Sequence, residues 1–218
     1  MTTKKFILAI LALMFSRCSH ETLPAYSKKG TLEDFLPIVQ FMDYKPGMAF
    51  ADVGAGSGAY TVMFTTFMDG SAVYIQDIDT VVLNKEDVDH ILDYYSTKSH
   101  IDLRKKNNYH VSVGDVRHTN LPDAAFDRIF SNGTVHNFTE IDSIMTDIRA
   151  KLKPGGLAFF RDSFRGDHKE KEFCSDPKCG RPLLSIGEFL SIMKRNGFTM
   201  VKRSPDMSGY PVFGFSAN

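Results

Sequence analysis

The segment Gly54-Ala55-Gly56-Ser57-Gly58 constrains this chain more than any other. Three glycines in five residues follow the short apolar run MAFADV (48–53) and precede a stretch, Ala59 to Met68, that reads as a helix. That order suits a chain that leaves a buried strand, turns tightly and enters a helix at once. Glycines let a ligand approach the backbone, and free N–H groups at a helix start favour negative charge. Gly54, Gly56 and Ala59 also satisfy the pattern G-x-G-x-x-G/A, which recurs in dinucleotide-binding folds. Taken alone, the loop also fits a tight turn that holds nothing.

The rest of the chain repeats the alternation of strand and helix. A capping box at Thr31 opens a helix that Lys45-Pro46-Gly47 ends. After the glycine loop come a strand at SAVYIQ (71–76), a mostly helical stretch from Asp77 to Ser96, and a polar turn at LRKKNN. Then follow a strand at YHVSVG (109–114), another at FDRIFS (126–131), and a helix from Ile141 to Leu152 that Lys153-Pro154-Gly155-Gly156 stops. LAFFRDSF is a fifth strand. A second capping box at Ser185 opens a helix to Asn196, with Gly197 as its C-cap. FTMVKRS and YPVFGFSA leave no room for a helix between them and must pair antiparallel. The expected fold is α/β: a doubly wound, mostly parallel Rossmann-like sheet with helices on both faces and a C-terminal antiparallel β-hairpin. Ligands of such sheets bind outside the carboxyl ends of the strands.

Three carboxylates fall at those ends. Asp52 closes the first strand, two residues before Gly54, where it can meet a ligand's ammonium group. Asp77 closes the second strand, 21 residues after Gly56, where it can accept both hydroxyls of a ribose. Asp115 follows the third, where it can accept from an exocyclic amino group while Val116 packs on an adenine face. Singly, each is an ordinary turn or cap residue. At successive strand ends beside a glycine loop, they describe one nucleoside site.

At this point the chain resembles the class I S-adenosylmethionine-dependent methyltransferases. The resemblance is carried by FADVGAGSGAYT (50–61), VYIQDID (73–79), GDVRHTNLPDAAFDRIFSN (114–132) and LKPGGLAFF (152–160), about half the chain, in the family's order. FMDYKPGMAF (41–50) looks like a bacterial subgroup whose members often carry export signals. The resemblance implies S-adenosylmethionine as cofactor. Gly54, Ala55, Gly56 and Gly58 would hold its methionine part, with Asp52 near it and Tyr60 covering that end. Asp77 and the adjoining Ile78 would take the ribose, Asp115 and Val116 the adenine, and Asn132 would touch donor or acceptor. A nicotinamide-dependent oxidoreductase is the alternative that shares the glycine pattern.

Methyl transfer from a sulfonium is an in-line displacement with a neutral leaving group, so positioning and desolvation supply most of the acceleration. A base is needed only where the acceptor must lose a proton. The catalytic candidates are His136 and Asn132 in the loop after strand four, and Asp162 after strand five. Twenty-six basic residues balance twenty-six acidic ones. With the basic runs short and no Asn-Pro-Pro-Tyr type motif present, the methyl acceptor is expected to be a small molecule, lipid or protein rather than nucleic acid. No metal site is expected: His168, Cys174 and Cys179 supply three ligands without a paired knuckle.

The N-terminus carries a separate message. Lys4 and Lys5 precede ten unbroken apolar residues, Phe6 to Phe15, and then Ser16-Arg17-Cys18. Residues 1–18 read as a signal peptide, 19–30 as a linker and 31–218 as the methyltransferase domain. Cys18 resembles a lipoprotein anchor site, although Arg17 stands where a small residue belongs. The expected location is therefore periplasmic or membrane-anchored, where Cys174 and Cys179 can close a small disulfide loop. Export and catalysis pull against each other, because the donor is made in the cytosol. A cytoplasmic enzyme, or an envelope protein that keeps the fold for binding alone, are the two ways out.

Overall fold

The computed structural model describes residues 23–165, 180–207 and 209–217. The expected signal segment, Cys18, His168 and the Cys174–Cys179 loop lie outside them. Seven strands form one sheet: β1 (Phe50–Val53), β2 (Ala72–Asp77), β3 (Asn108–Val113), β4 (Phe126–Asn132), β5 (Leu152–Arg161), β6 (Phe198–Arg203) and β7 (Val212–Ala217). Their order is β3-β2-β1-β4-β5-β7-β6. The first five run parallel, and β7 runs antiparallel to both neighbours, as the expected hairpin requires. Chain order reverses between β1 and β4, so a crevice opens above their carboxyl ends.

The central strands are apolar because both faces are covered. Side chains alternate between faces, so Phe50, Phe130 and Phe159 join one core while Ala51, Ile129 and Phe160 join the other. The first core is filled from α2 (Leu36–Phe41), α3 (Ala59–Phe64) and α4 (Lys85–Ser99). The second is filled from α6 (Ile141–Lys151) and α7 (Ile186–Arg195), with Phe189 in ring contact with Phe160, Phe164, Phe213 and Phe215. Among the described residues no helix is long and apolar enough to cross a membrane.

Several boundaries differ from expectation for local reasons. The first helix, α1 (Lys28–Asp34), starts before Thr31, because the Ser27 hydroxyl caps it by accepting from the Gly30 N–H at 2.9 Å. Thr31 is instead a buried residue inside it. α2 is a separate helix, since Pro37 lacks the N–H that would continue the first. α3 closes in a 3-10 turn, where Thr65 and Thr66 hydroxyls donate back to the Val62 and Met63 carbonyls. α4 begins only at Lys85, because Asp77 and Asp79 draw the backbone N–H groups of residues 78, 79 and 81 into side-chain turns. The LRKKNN turn contains a short helix, α5 (Leu103–Lys106), capped by Asp102. Lys153 to Gly156 bulge out of β5, shifting its register against β4 between Phe126 and Arg128. The capping box of Ser185 and Glu188 forms as expected, and Gly197 follows α7 with φ +79°.

Candidate active site

The glycine loop is held from three sides. Gly54 and Ala55 N–H groups donate to the Gln76 carbonyl at 2.9 Å, and the Gly56 N–H donates to Asp77 Oδ2 at 2.7 Å. The Thr134 hydroxyl donates to the Gly54 carbonyl at 2.8 Å. Gly54 has φ +74°, and a Cβ there would meet Thr134 Cγ2 at 2.2 Å, so no other residue fits. Gly56 has nothing within 4 Å of such a Cβ: its outer side faces open space. Gly58 differs, because it packs against Ile75 beneath the loop and is not part of the wall above it.

That open space is a cavity of about 1400 Å³. Ordinary small-molecule sites occupy roughly 300–1,000 Å³, so donor and acceptor can be held together. Gly54, Ala55, Gly56 and Tyr60 line one part of it. Asp77 and Ile78 at the end of β2, Asp115 and Val116 after β3, and Asn132 at the end of β4 line further parts. Asp77 is braced by three backbone N–H groups, from Gly56, Ile78 and Asp79. A carboxylate has about four acceptor positions, so one remains for a hydroxyl. Asp115 spends Oδ1 on the Arg117 and His118 N–H groups, which hold its carboxyl below the usual range. Ile78 and Val116 expose 51% and 45% of their surface at neighbouring strand ends. Two exposed apolar side chains there suit a flat ring that would cover them. Glycine cradle, hydroxyl acceptor and apolar pair all fit an adenosyl donor.

Three further expectations are corrected. Asp52 does not reach the cavity; it is buried under the loop, with Oδ2 accepting from the Thr61 hydroxyl at 2.6 Å and Oδ1 without a partner among the described residues. Burial pushes its carboxyl up to about 7. His136 and Asp162 also lie behind the wall, as a buried pair. Asp162 Oδ1 faces His136 Nδ1 at 2.7 Å, and its Oδ2 accepts from the His136 backbone N–H at 3.0 Å. Asp162 also accepts from the Ser163 N–H, so it serves as a buried brace for the loop after β4. Asn137, whose Nδ2 lies 3.3 Å from His136 Nε2, meets the cavity from that loop together with Gly133, Thr134, Phe138 and Thr139.

Further residues of the wall, and one behind it, are not singled out by the sequence. Gln76 anchors the loop through its carbonyl, and Leu23, Pro24, Val81, Asp87 and His90 close the far side. Arg161, the register partner of Asn132 on β5, donates to its side-chain oxygen at 2.9 Å. Its place at the end of the fifth strand is the available signal; the pairing needs the register.

Sheet order, glycine loop and strand-end carboxylates define an α/β protein with a nucleoside-type cleft at its topological switch point. Residues 51–160 match the family model described as a methyltransferase domain, and the chain belongs to that family. It is 24% identical over 198 residues to an arsenite methyltransferase of Aquipseudomonas alcaligenes, covering 84% of this chain and 55% of that protein. The chain thus spans only about half that relative's length. A solved S-adenosylmethionine-dependent methyltransferase from Aquifex aeolicus superposes with a TM-score of 0.63, at 20% identity, over 88% of this chain and 93% of that one. A Haemonchus contortus phosphoethanolamine N-methyltransferase, solved with S-adenosyl-L-methionine, superposes with a TM-score of 0.57 at 18% identity, over 82% of this chain and 38% of that one. At these identities the two structures establish the fold.

Proposed function

We propose that this chain transfers the methyl group of S-adenosylmethionine to a small molecule, lipid or protein side chain. The observation that carries the reading is the set of Asp77, Asp115 and the open glycine backbone on one cavity, in a chain of the methyltransferase-domain family. The family match favours it over nicotinamide chemistry, which shares the glycine pattern and the ribose carboxylate Asp77. When bound, the donor supplies an electrophilic methyl on a sulfonium whose leaving group is neutral. Asp77 would orient the ribose, Asp115 and Val116 the adenine, and the glycine loop the amino-acid end. Tyr60, half exposed and packed on Phe35 at 5.9 Å between ring centres, would shield that end from water. His136 and Asp162, being buried together, would shape the acceptor side through Asn137 and not take a proton directly.

We infer also that the chain acts in the bacterial envelope, on the strength of the apolar run 6–15 and Cys18. Incubating purified protein with donor labelled in its methyl group, and with small-molecule, lipid and protein fractions in turn, tests the activity. Label entering one of those fractions supports it. Label entering only nucleic acid, or none despite bound donor, contradicts it. Fractionating cells that carry a C-terminally tagged chain tests the location.

A further inference from the structure

We propose that Arg161 is a positioning residue: it turns the Asn132 amide so that its N–H₂ end faces the cavity and donates to the carboxylate at the amino-acid end of the donor. This rests on the methyl-donor reading above and adds a residue to it. Asn132 and Arg161 are register partners at the ends of β4 and β5. A guanidinium only donates, so the amide group turned towards it must be the oxygen. The structure has that arrangement, with Arg161 Nη1 donating to Asn132 Oδ1 at 2.9 Å. The guanidinium is itself anchored: Nε and Nη2 donate to the Met207 carbonyl at 3.3 and 2.9 Å, and its carbon lies 5.2 Å from the centre of the Tyr210 ring. Asn132 therefore cannot flip without losing that bond, and its two N–H donors belong to the cavity it lines.

The strand order says what those donors meet. Asp115 follows β3, Asp77 ends β2, the glycine loop follows β1, and Asn132 ends β4. Strands lie about 4.8 Å apart, so β3 and β4 are separated by roughly 14 Å across the cleft. An adenosyl amino acid with its base at Asp115 and its ribose at Asp77 reaches β1 and β4 with its other end. Asn132 also stands beside the loop, since the Thr134 hydroxyl is within reach of both the Gly54 and Asn132 carbonyls, at 2.8 and 3.2 Å. The group at that end that accepts N–H donors is the carboxylate.

Two probes separate this from a general structural role. S-adenosylhomocysteine carries the amino-acid end; 5′-methylthioadenosine lacks it. Calorimetry on the full chain should show that Arg161→Met and Asn132→Ala each weaken the first by about tenfold. The second should change by less than about twofold. In the Asn132→Ala background, Arg161→Met should add nothing, because it acts through the amide. Equal loss for both probes would overturn the proposal, as would an undiminished effect of Arg161→Met without Asn132. Should Arg161→Met fail to fold, Asn132→Asp serves with Arg161 intact: its carboxylate repels that of the ligand, and discrimination between the probes must fall by more than about tenfold. Wild-type protein that binds neither probe would instead bring down the methyl-donor reading itself.

Discussion

Replacing Asp52 by asparagine should remove a pH dependence from the stability of the fold. The Asp52 carboxyl is 3% exposed, and burial raises it from an ordinary 3.8 to about 7. The Thr61 hydroxyl pulls it back down, and the nearby Asp77 adds to the rise. A carboxyl with a higher pKa in the folded chain binds its proton more tightly there than in the unfolded chain. Its contribution is therefore complete below about pH 4, shrinks as pH rises towards 7, and is gone above it. About three decades of proton affinity correspond to about 4 kcal/mol. Asparagine has nothing to titrate. Urea unfolding of both proteins from pH 4 to 8 isolates the effect, because all other titrating groups are shared. The wild type should lose up to about 4 kcal/mol relative to Asp52→Asn across that range. Parallel profiles would mean that Asp52 is ionised in the native chain, and the burial argument would fail.

Asp77→Ala should weaken donor binding by at least about tenfold in calorimetry, since it removes the ribose acceptor and frees the Gly56 N–H. Gly54→Ala should cost about 2–5 kcal/mol in denaturant melts, combining a left-handed φ with the Thr134 contact. Gly56→Ala, at φ +57° in open space, should cost only about 1–2 kcal/mol, and Thr134→Ser should recover part of the Gly54→Ala loss but none of the Gly56→Ala loss. Phe189→Ala should cost about 3–5 kcal/mol, since four rings pack on it, and should leave donor affinity unchanged in the protein that remains folded.

What could be read from the chain was what local chemistry determines. The Ser185–Glu188 capping box, the antiparallel hairpin and the cluster of Asp77, Asp115 and glycines at strand ends need only spacing and alternation. What escaped depends on which side chains meet across elements. Asp52 looked available to a ligand because it closes a strand, but alternation puts it on the face that α3 covers, within reach of Thr61. His136 and Asp162 looked like independent bases 26 residues apart, and only the sheet brings one to cover the other. Arg161 drew no notice because its meaning lies in its register with Asn132. The late start of α4 was a contest between aspartate side chains and helical hydrogen bonds that periodicity does not weigh.

The occupant of the cavity decides what the chain does. Isothermal titration of the purified chain with S-adenosylmethionine, with S-adenosylhomocysteine and with reduced nicotinamide dinucleotide measures it in one series. Saturable one-to-one binding of the first two, lost in Asp77→Ala and absent for the third, is the predicted result. Binding of the nicotinamide alone, or of none of the three by folded protein, would contradict it.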